Sequence, residues 1–304
     1  MTPGGARAST RPGLIARWGA RWGARSGGVP SLLFVGPFLL YVTAFLILPA
    51  GMLLLEAFAG KNGPTLSYVA GLAAGPTLVA FRNSLVLSAL SALVGLVAGG
   101  LGAYFVMHPG MPRGLSSLVT SFSAVAANFA GVPLAFAFIA TLGSLGMITT
   151  WLKAAGIDLY GMGFSLYSLP GLVLVYAYFQ IPLMIIVITP ALEALRREWR
   201  EAAENLGASS WDYWRLVGLP ILLPGLLSAY ILLFGNAFSA YATPYALTSG
   251  IIALVPVEIS NVLSGNVMLS PQTGAALALG MIVVMIVVMG LYAALLRRVG
   301  RWTR

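Results

Sequence analysis

Residues 169–190 read LPGLVLVYAYFQIPLMIIVITP, a run without one charged side chain. About 20 apolar residues in helical form match the thickness of a bilayer's hydrocarbon core. Similar runs recur at about 31–54, 84–107, 117–142, 219–241 and 274–296. The whole chain of 304 residues is 59% hydrophobic and 8% charged, with a mean hydropathy of +0.91. A soluble domain of this length needs more charge to cover its surface. The pattern predicts an all-α integral membrane protein with six transmembrane helices.

The charges give the orientation. All but Lys61, Arg82 and Lys153 of the 17 basic residues fall in residues 1–30, 108–116, 191–218 and 297–304. Basic loops stay in the cytoplasm, which predicts both termini there. The net charge of +9 therefore reflects topology, with anionic lipid headgroups rather than nucleic acid as its partner. The first apolar run begins too late and extends too far for a signal peptide, so it reads as a retained first span. Residues 1–30 form a basic cytoplasmic tail and 31–304 a transmembrane domain. In the tail, Arg17, Arg21 and Arg25 recur with Trp18 and Trp22. Helical, they would make an interfacial anchor; a glycine every fourth residue favours a mobile tail.

Several enzyme classes are excluded. The chain has no cysteine and one histidine, His108, which removes thiolate and multi-histidine metal sites. Asp158 and Asp212 fall on opposite sides of the membrane and cannot form a dyad. There is no Gly-x-Ser-x-Gly or His-Glu-x-x-His. Gly60-Lys61 is followed by Asn62, and Leu55 stands where a P-loop needs its first glycine.

Within the spans, Gly95, Gly99 and Ala103 predict a close helix contact, as do Ala276 and Gly280. Pro133, Pro182 and Pro224 predict local breaks, tolerated where protein or a polar cavity satisfies the freed backbone. Neutral polar residues in the spans are candidates for a translocation pathway: Asn128, Gln180 and Asn236, with Tyr176, Tyr178 and Ser239. Each has an alternative reading as a hydrogen bond to a neighbouring helix. Outside the membrane, 144–156 and 251–265, the latter with Glu258, look like lips carrying half-embedded helices.

The densest chemistry lies at 191–220, where LEALRREWREAAENLGASSWDYWRLVGLPI spans 192–221 and holds five of the eight acidic residues. Leu192, Leu195, Trp199, Ala202, Ala203 and Leu206 define an apolar helical face. Glu193–Arg197 and Arg200–Glu204 are opposite charges four apart. Gly207 supplies a left-handed helix end. Ser209 and Asp212 have capping-box spacing for a second helix presenting Trp211, Trp214 and Val217. Pro220 marks entry to the fifth span. An interfacial hairpin on a secondary transporter or channel also accounts for this amphipathicity. Ion coupling, however, usually needs acids inside the spans, and these have none.

The stretch resembles a known family. Permease subunits of binding-protein-dependent ABC importers carry EAA, three residues, Gly, nine residues and Ile-x-Leu-Pro. Here Glu201-Ala202-Ala203, Gly207 and Val217-Gly218-Leu219-Pro220 keep that spacing, with Val217 in place of isoleucine. The resemblance implies the type I importer fold with 191–220 as a cytoplasmic coupling helix docked on an ATPase. It also implies two copies of that ATPase holding ATP–Mg, no cofactor on this chain, and a second permease, expected to be a different chain. An extracytoplasmic binding protein would deliver a small polar solute across a bacterial cell membrane. The span layout and Phe81-Arg82-Asn83-Ser84 are most similar to the first permease of spermidine/putrescine systems. That group also serves iron, thiamine and phosphonates; polyamine is the lead.

Overall fold

A computed structural model describes residues 29–60, 63–73, 75–108, 110–265 and 271–299. The Arg/Trp tail and Lys61 lie outside them. Six helices are long and apolar enough to cross a membrane: Val35–Glu56, Gly75–Val106, Val132–Ala154, Leu169–Glu193, Ser210–Ser239 and Pro271–Arg297. Apart from the antiparallel pair Ala59–Gly60 and Gly63–Pro64, the described residues form no strands. The chain divides into two units at Leu55/Glu56. The first unit carries most of helix α1 (29–56), and the second carries the other five spans.

The second unit is built around α6 (Leu169–Glu193), the most enclosed span. It packs against α2 (Gly75–Val106), α3 (Arg113–Asn128) and α8 (Ser210–Ser239), taking α4 as Val132–Leu142, α5 as Met147–Ala154 and α7 as Arg197–Asn205 in between. Tyr176, Val175, Leu172 and Met184 of α6 have no exposed surface. The small-residue stripe on α2 explains the close approach. A Cβ on Gly95 would lie 2.7 Å from Leu233 Cδ2 and 2.9 Å from Gln180 Cβ. One on Gly99 would lie 2.6 Å from both Ile181 O and Met184 Cβ, and Ala103 is fully buried. In lipid, where tails are as apolar as side chains, such proximity supplies packing and dispersion. Gly280 similarly receives the ring of Phe81, and Ala276 beside it is fully buried.

The apolar run at 117–142 is not one helix. α3 ends at Asn128, and α4 begins at Val132. Gly131, at φ +80° and ψ −150°, occupies a conformation that side chains oppose, and Pro133 falls in the first turn of α4. The candidate third span consequently lies at Val132–Ala154, further along than the apolar run suggests. Pro182 and Pro224, by contrast, sit inside unbroken helices. Of these three expected breaks, only that at Pro133 occurs, because a spanning helix can lose one backbone bond and continue.

Two other prolines are accommodated by widened turns. π-helical turns at Thr43–Ile47 and Trp214–Gly218 each end two residues before a proline, Pro49 and Pro220. Leu48 N–H bonds Thr43 O, and Leu219 N–H bonds Trp214 O, each reaching back five residues. Widening the turn makes room for a ring that would otherwise meet the preceding turn. Beyond α8, the chain forms α9 (Ala242–Thr248), α10 (Val255–Leu263) and α11 (Pro271–Val299). Both segments expected to be lips do contain a helix, α5 and α10 respectively, and α5 falls within the third candidate span.

Gly99→Val is expected to lower stability by about 1–3 kcal/mol through overpacking against α6. Thermal unfolding of the purified chain in detergent measures this; an unchanged midpoint would contradict the contact.

Candidate functional site

The loop between α6 and α8 is folded by local rules. α6 ends at Glu193, and α7 begins only at Arg197 after an extended Arg196 (φ −70°, ψ 137°). Leu192 and Leu195 therefore do not extend the face of α7, as the sequence periodicity suggests. The break also prevents the expected Glu193–Arg197 pair, since the two residues belong to different helices. Arg197 instead meets Glu201 at 3.3 Å, while Arg200 meets Glu204 at 3.0 Å as the spacing predicts. That hydrogen bond holds the Arg200 guanidinium above its ordinary pKa.

The end of α7 follows the pattern expected for a helix closed by glycine. Gly207 has φ +80°. Its N–H bonds Glu204 O at 3.0 Å, and Ala208 N–H bonds Ala203 O at 3.0 Å. These two bonds satisfy carbonyls that the helix end would leave open. The capping box also forms: Asp212 N–H bonds Ser209 Oγ at 3.2 Å, and Ser209 N–H bonds Asp212 Oδ2 at 3.1 Å. The second arm is not a separate helix. It continues through the widened turn into the fifth span, so Pro220 lies inside α8.

No residue of α7 is buried. Glu201 and Ala202 are exposed, and Ala203 is half-buried. Leu206 and Trp211 stand out at 88% and 72% exposure. Val217 is half-buried, whereas Leu219 and Pro220 are exposed. A cleft of about 630 Å³ separates α7 from the end of α2 and includes Tyr104, His108, Arg200 and Glu201 in its lining. Its aromatic wall joins Tyr104 to Trp214 with ring centroids 5.3 Å apart. The helix thus has a supported base and a presented outer surface.

The pathway candidates separate. Gln180 is fully buried and donates from Nε2 to Leu233 O at 2.8 Å, bridging the fourth and fifth spans. Tyr176 is also fully buried. In this structure both are enclosed by helix packing and present no surface. Tyr178 is half-buried between Phe129 and Phe138. Asn128, Asn236 and Ser239 are exposed. Asn128 Nδ2 donates to Ala124 O at 2.9 Å, and Ser239 Oγ donates to Gly235 O at 2.9 Å.

Three cross-element bonds had no clear sequence signal. Gly131 N–H donates to Thr243 Oγ1 at 2.8 Å, joining the break after α3 to α9. Ser84 Oγ accepts from Val255 N at 2.9 Å, and Asn83 Nδ2 donates to Ala253 O at 3.1 Å. Pro133 marked the neighbourhood of the first, and Asn83 and Ser84 stood out only within the phrase opening the second span, with nothing to indicate their partners.

Residues 95–301 match the family described as the binding-protein-dependent transport system inner membrane component. The chain belongs to this family. With six candidate spans, it is a multi-pass protein of the bacterial inner membrane. It is 31% identical over 132 residues to the molybdenum transport system permease protein ModB of Mycobacterium tuberculosis, covering 42% of this chain and 46% of that protein. The match thus spans about half the length of that relative. The sulfate transport system permease protein CysW of Synechocystis is 25% identical over 258 residues, covering 83% of this chain and 88% of that protein. A chain from a bacterial ABC transporter involved in import of the acidic polysaccharide alginate superposes with TM-score 0.71 at 18% identity, covering 92% of this chain and 99% of that one. The fold is therefore that of a type I importer permease.

Gly207→Val should strain the end of α7 by about 1–2 kcal/mol. Hydrogen exchange at 203–208 should then accelerate by about tenfold; unchanged exchange would remove glycine's role as the helix stop.

Proposed function

We propose that this chain is half of the translocation pore of an ATP-driven importer and that α7 is its coupling helix. The observation that carries this reading is that Glu201 and Ala202 stand on an unburied helix, closed by Gly207 and joined by one capped turn to the helix of the fifth span. An exposed helix with two ion pairs and a glycine stop at one end, and a capping box beyond it, suits docking into another subunit. Ala202 and Ala203 allow close approach, while Glu201 offers a carboxylate. Because the second arm continues directly into α8, displacement of α7 would be transmitted to a spanning helix.

In this reading the loop and both termini face the cytoplasm. Two ATPase copies bind ATP–Mg and drive the permease pair, whose second member is a different chain. ATPase closure draws the coupling helices together and turns the pore outward. An external binding protein then releases a small polar solute into it. Asn128, Asn236 and Ser239 line the pathway. The names of the relatives include molybdenum, sulfate, thiamine and trehalose transport. They do not favour the polyamine lead, so the solute class must be argued from this chain's own lining.

Glu201→Arg should reduce co-purification of the partner ATPase subunit by about tenfold or more, because like-charge contact at an interface is costly. Gly207→Pro should abolish ATP-driven uptake. Membrane insertion, followed by protease protection, should be unchanged in both. Normal ATPase recovery and uptake in the two variants would overturn the coupling assignment.

A further inference from the structure

The exposed side of α8 continues beyond the helix. Ser228, Leu232, Asn236 and Ser239 recur on it at helical spacing. After an extended residue at Ala240, the chain places Tyr241 at the start of α9. Tyr241 and Tyr245 stack with ring centroids 5.2 Å apart and planes at 28°, and each remains 37% exposed. Ser260 Oγ donates to Tyr241 Oη at 2.9 Å, leaving the tyrosine proton available for another acceptor. The Gly131–Thr243 bond brings the end of α3, with Asn128, to this region.

Asn236 supplies a second reason to read this face as solute-bearing. Among the described residues, its exposed side-chain amide has no hydrogen-bond partner. An amide turned to hydrocarbon would forgo every hydrogen bond, at several kcal/mol. Its place on a spanning helix is compatible with a wet pathway.

The lining also discriminates by charge. The sequence contains no Lys or Arg between Arg215 and Arg297, and its one carboxylic acid there is Glu258. Burial pushes that half-buried carboxyl upward in pKa, towards its neutral form. Within 216–296 an oxyanion would lose water without meeting a cationic side chain, and a diamine would lack paired carboxylates. A hydroxyl-rich neutral solute can exchange water bonds for amide and hydroxyl bonds, while its C–H surface lies on the tyrosine rings.

Resting on the importer reading, we infer that the solute is neutral and hydroxyl-rich, of the sugar or polyol class. Asn236, Tyr241, Tyr245 and Ser260 form its passing site. Short-lived contact suits a conduit: these groups orient a solute without the strong hold of a charged pair. The stacked rings favour an extended C–H face, whereas Asn236 and the Tyr241 hydroxyl select its oxygen atoms.

The full-length chain in lipid nanodiscs should transfer NMR saturation to trehalose or sorbitol, but not to putrescine or thiamine. Sulfate should not displace the polyol. Tyr241→Ala should weaken polyol binding about fivefold, with Asn236→Leu as an independent variant if the first does not fold. Tyr241-dependent putrescine binding, sulfate displacement, absence of polyol binding, or unchanged binding in the folded variants would overturn the inference. ATPase co-purification is read on the same preparations. Its retention without polyol binding removes the solute class alone; its loss with polyol binding retained removes the importer reading alone.

Discussion

A backbone group that leaves helical pairing inside a membrane must find another partner, because hydrocarbon offers none. The second unit is organised by this constraint. Its continuous spans satisfy the backbone internally, and two of its principal departures are joined by side chains from other elements. Thr243 receives the N–H of Gly131, while Ser84 and Asn83 engage residues 253–255. These bonds tie the irregular segments around α9 and α10 to α2 and to the break before α4. A buried side-chain-to-backbone bond contributes roughly 1 kcal/mol net, but leaving one partner unpaired costs more. Their importance is therefore greatest where they determine which irregular backbone is tolerated.

Close packing complements that constraint. Gly95 and Gly99 let α2 approach α6, where Gln180 then reaches Leu233 O. That bond stabilises the junction of three spans and removes Gln180 from the exposed polar face. Two further hydrogen-bonding positions remain unused: neither Gln180 Oε1 nor the Tyr176 hydroxyl has a partner in this conformation. Two polar atoms on one buried helix face thus remain available for different pairings if the helices shift. The same packing that excludes solute also leaves an energetic preference unresolved inside the bundle.

Much of this architecture was legible because membrane spans carry long apolar runs. The Gly207 stop and the Ser209–Asp212 box were also legible, since both depend on residues close in sequence. The third span was not: its apolar run cannot reveal that Gly131 takes a positive φ or that Thr243 satisfies its N–H. The Glu193–Arg197 pairing failed for a related reason. Four-residue spacing is useful only inside one helix, and the extended Arg196 separates the two charges. Asn236 and Gln180 look alike as lone amides in sequence, but opposite burial distinguishes them. Chemistry was readable; the partner it finds across the fold was not.

The proposed coupling segment shows why local order alone does not complete a mechanism. Its two exposed ion pairs contribute only about 0–1 kcal/mol each, and α7 buries no residue. The glycine stop and capping box define a shape without supplying a large core. Such a shape can transmit displacement because it enters α8 through a continuous turn, yet docking against another surface would be needed to hold it firmly. At the other end of α8, the exposed face runs towards the Tyr241–Tyr245 stack. One continuous helix, α8, consequently runs from the turn that closes the proposed driving surface to the proposed solute surface. The widened turn at Trp214–Gly218 preserves that continuity despite Pro220, making the geometry of a single helix the physical link between the two.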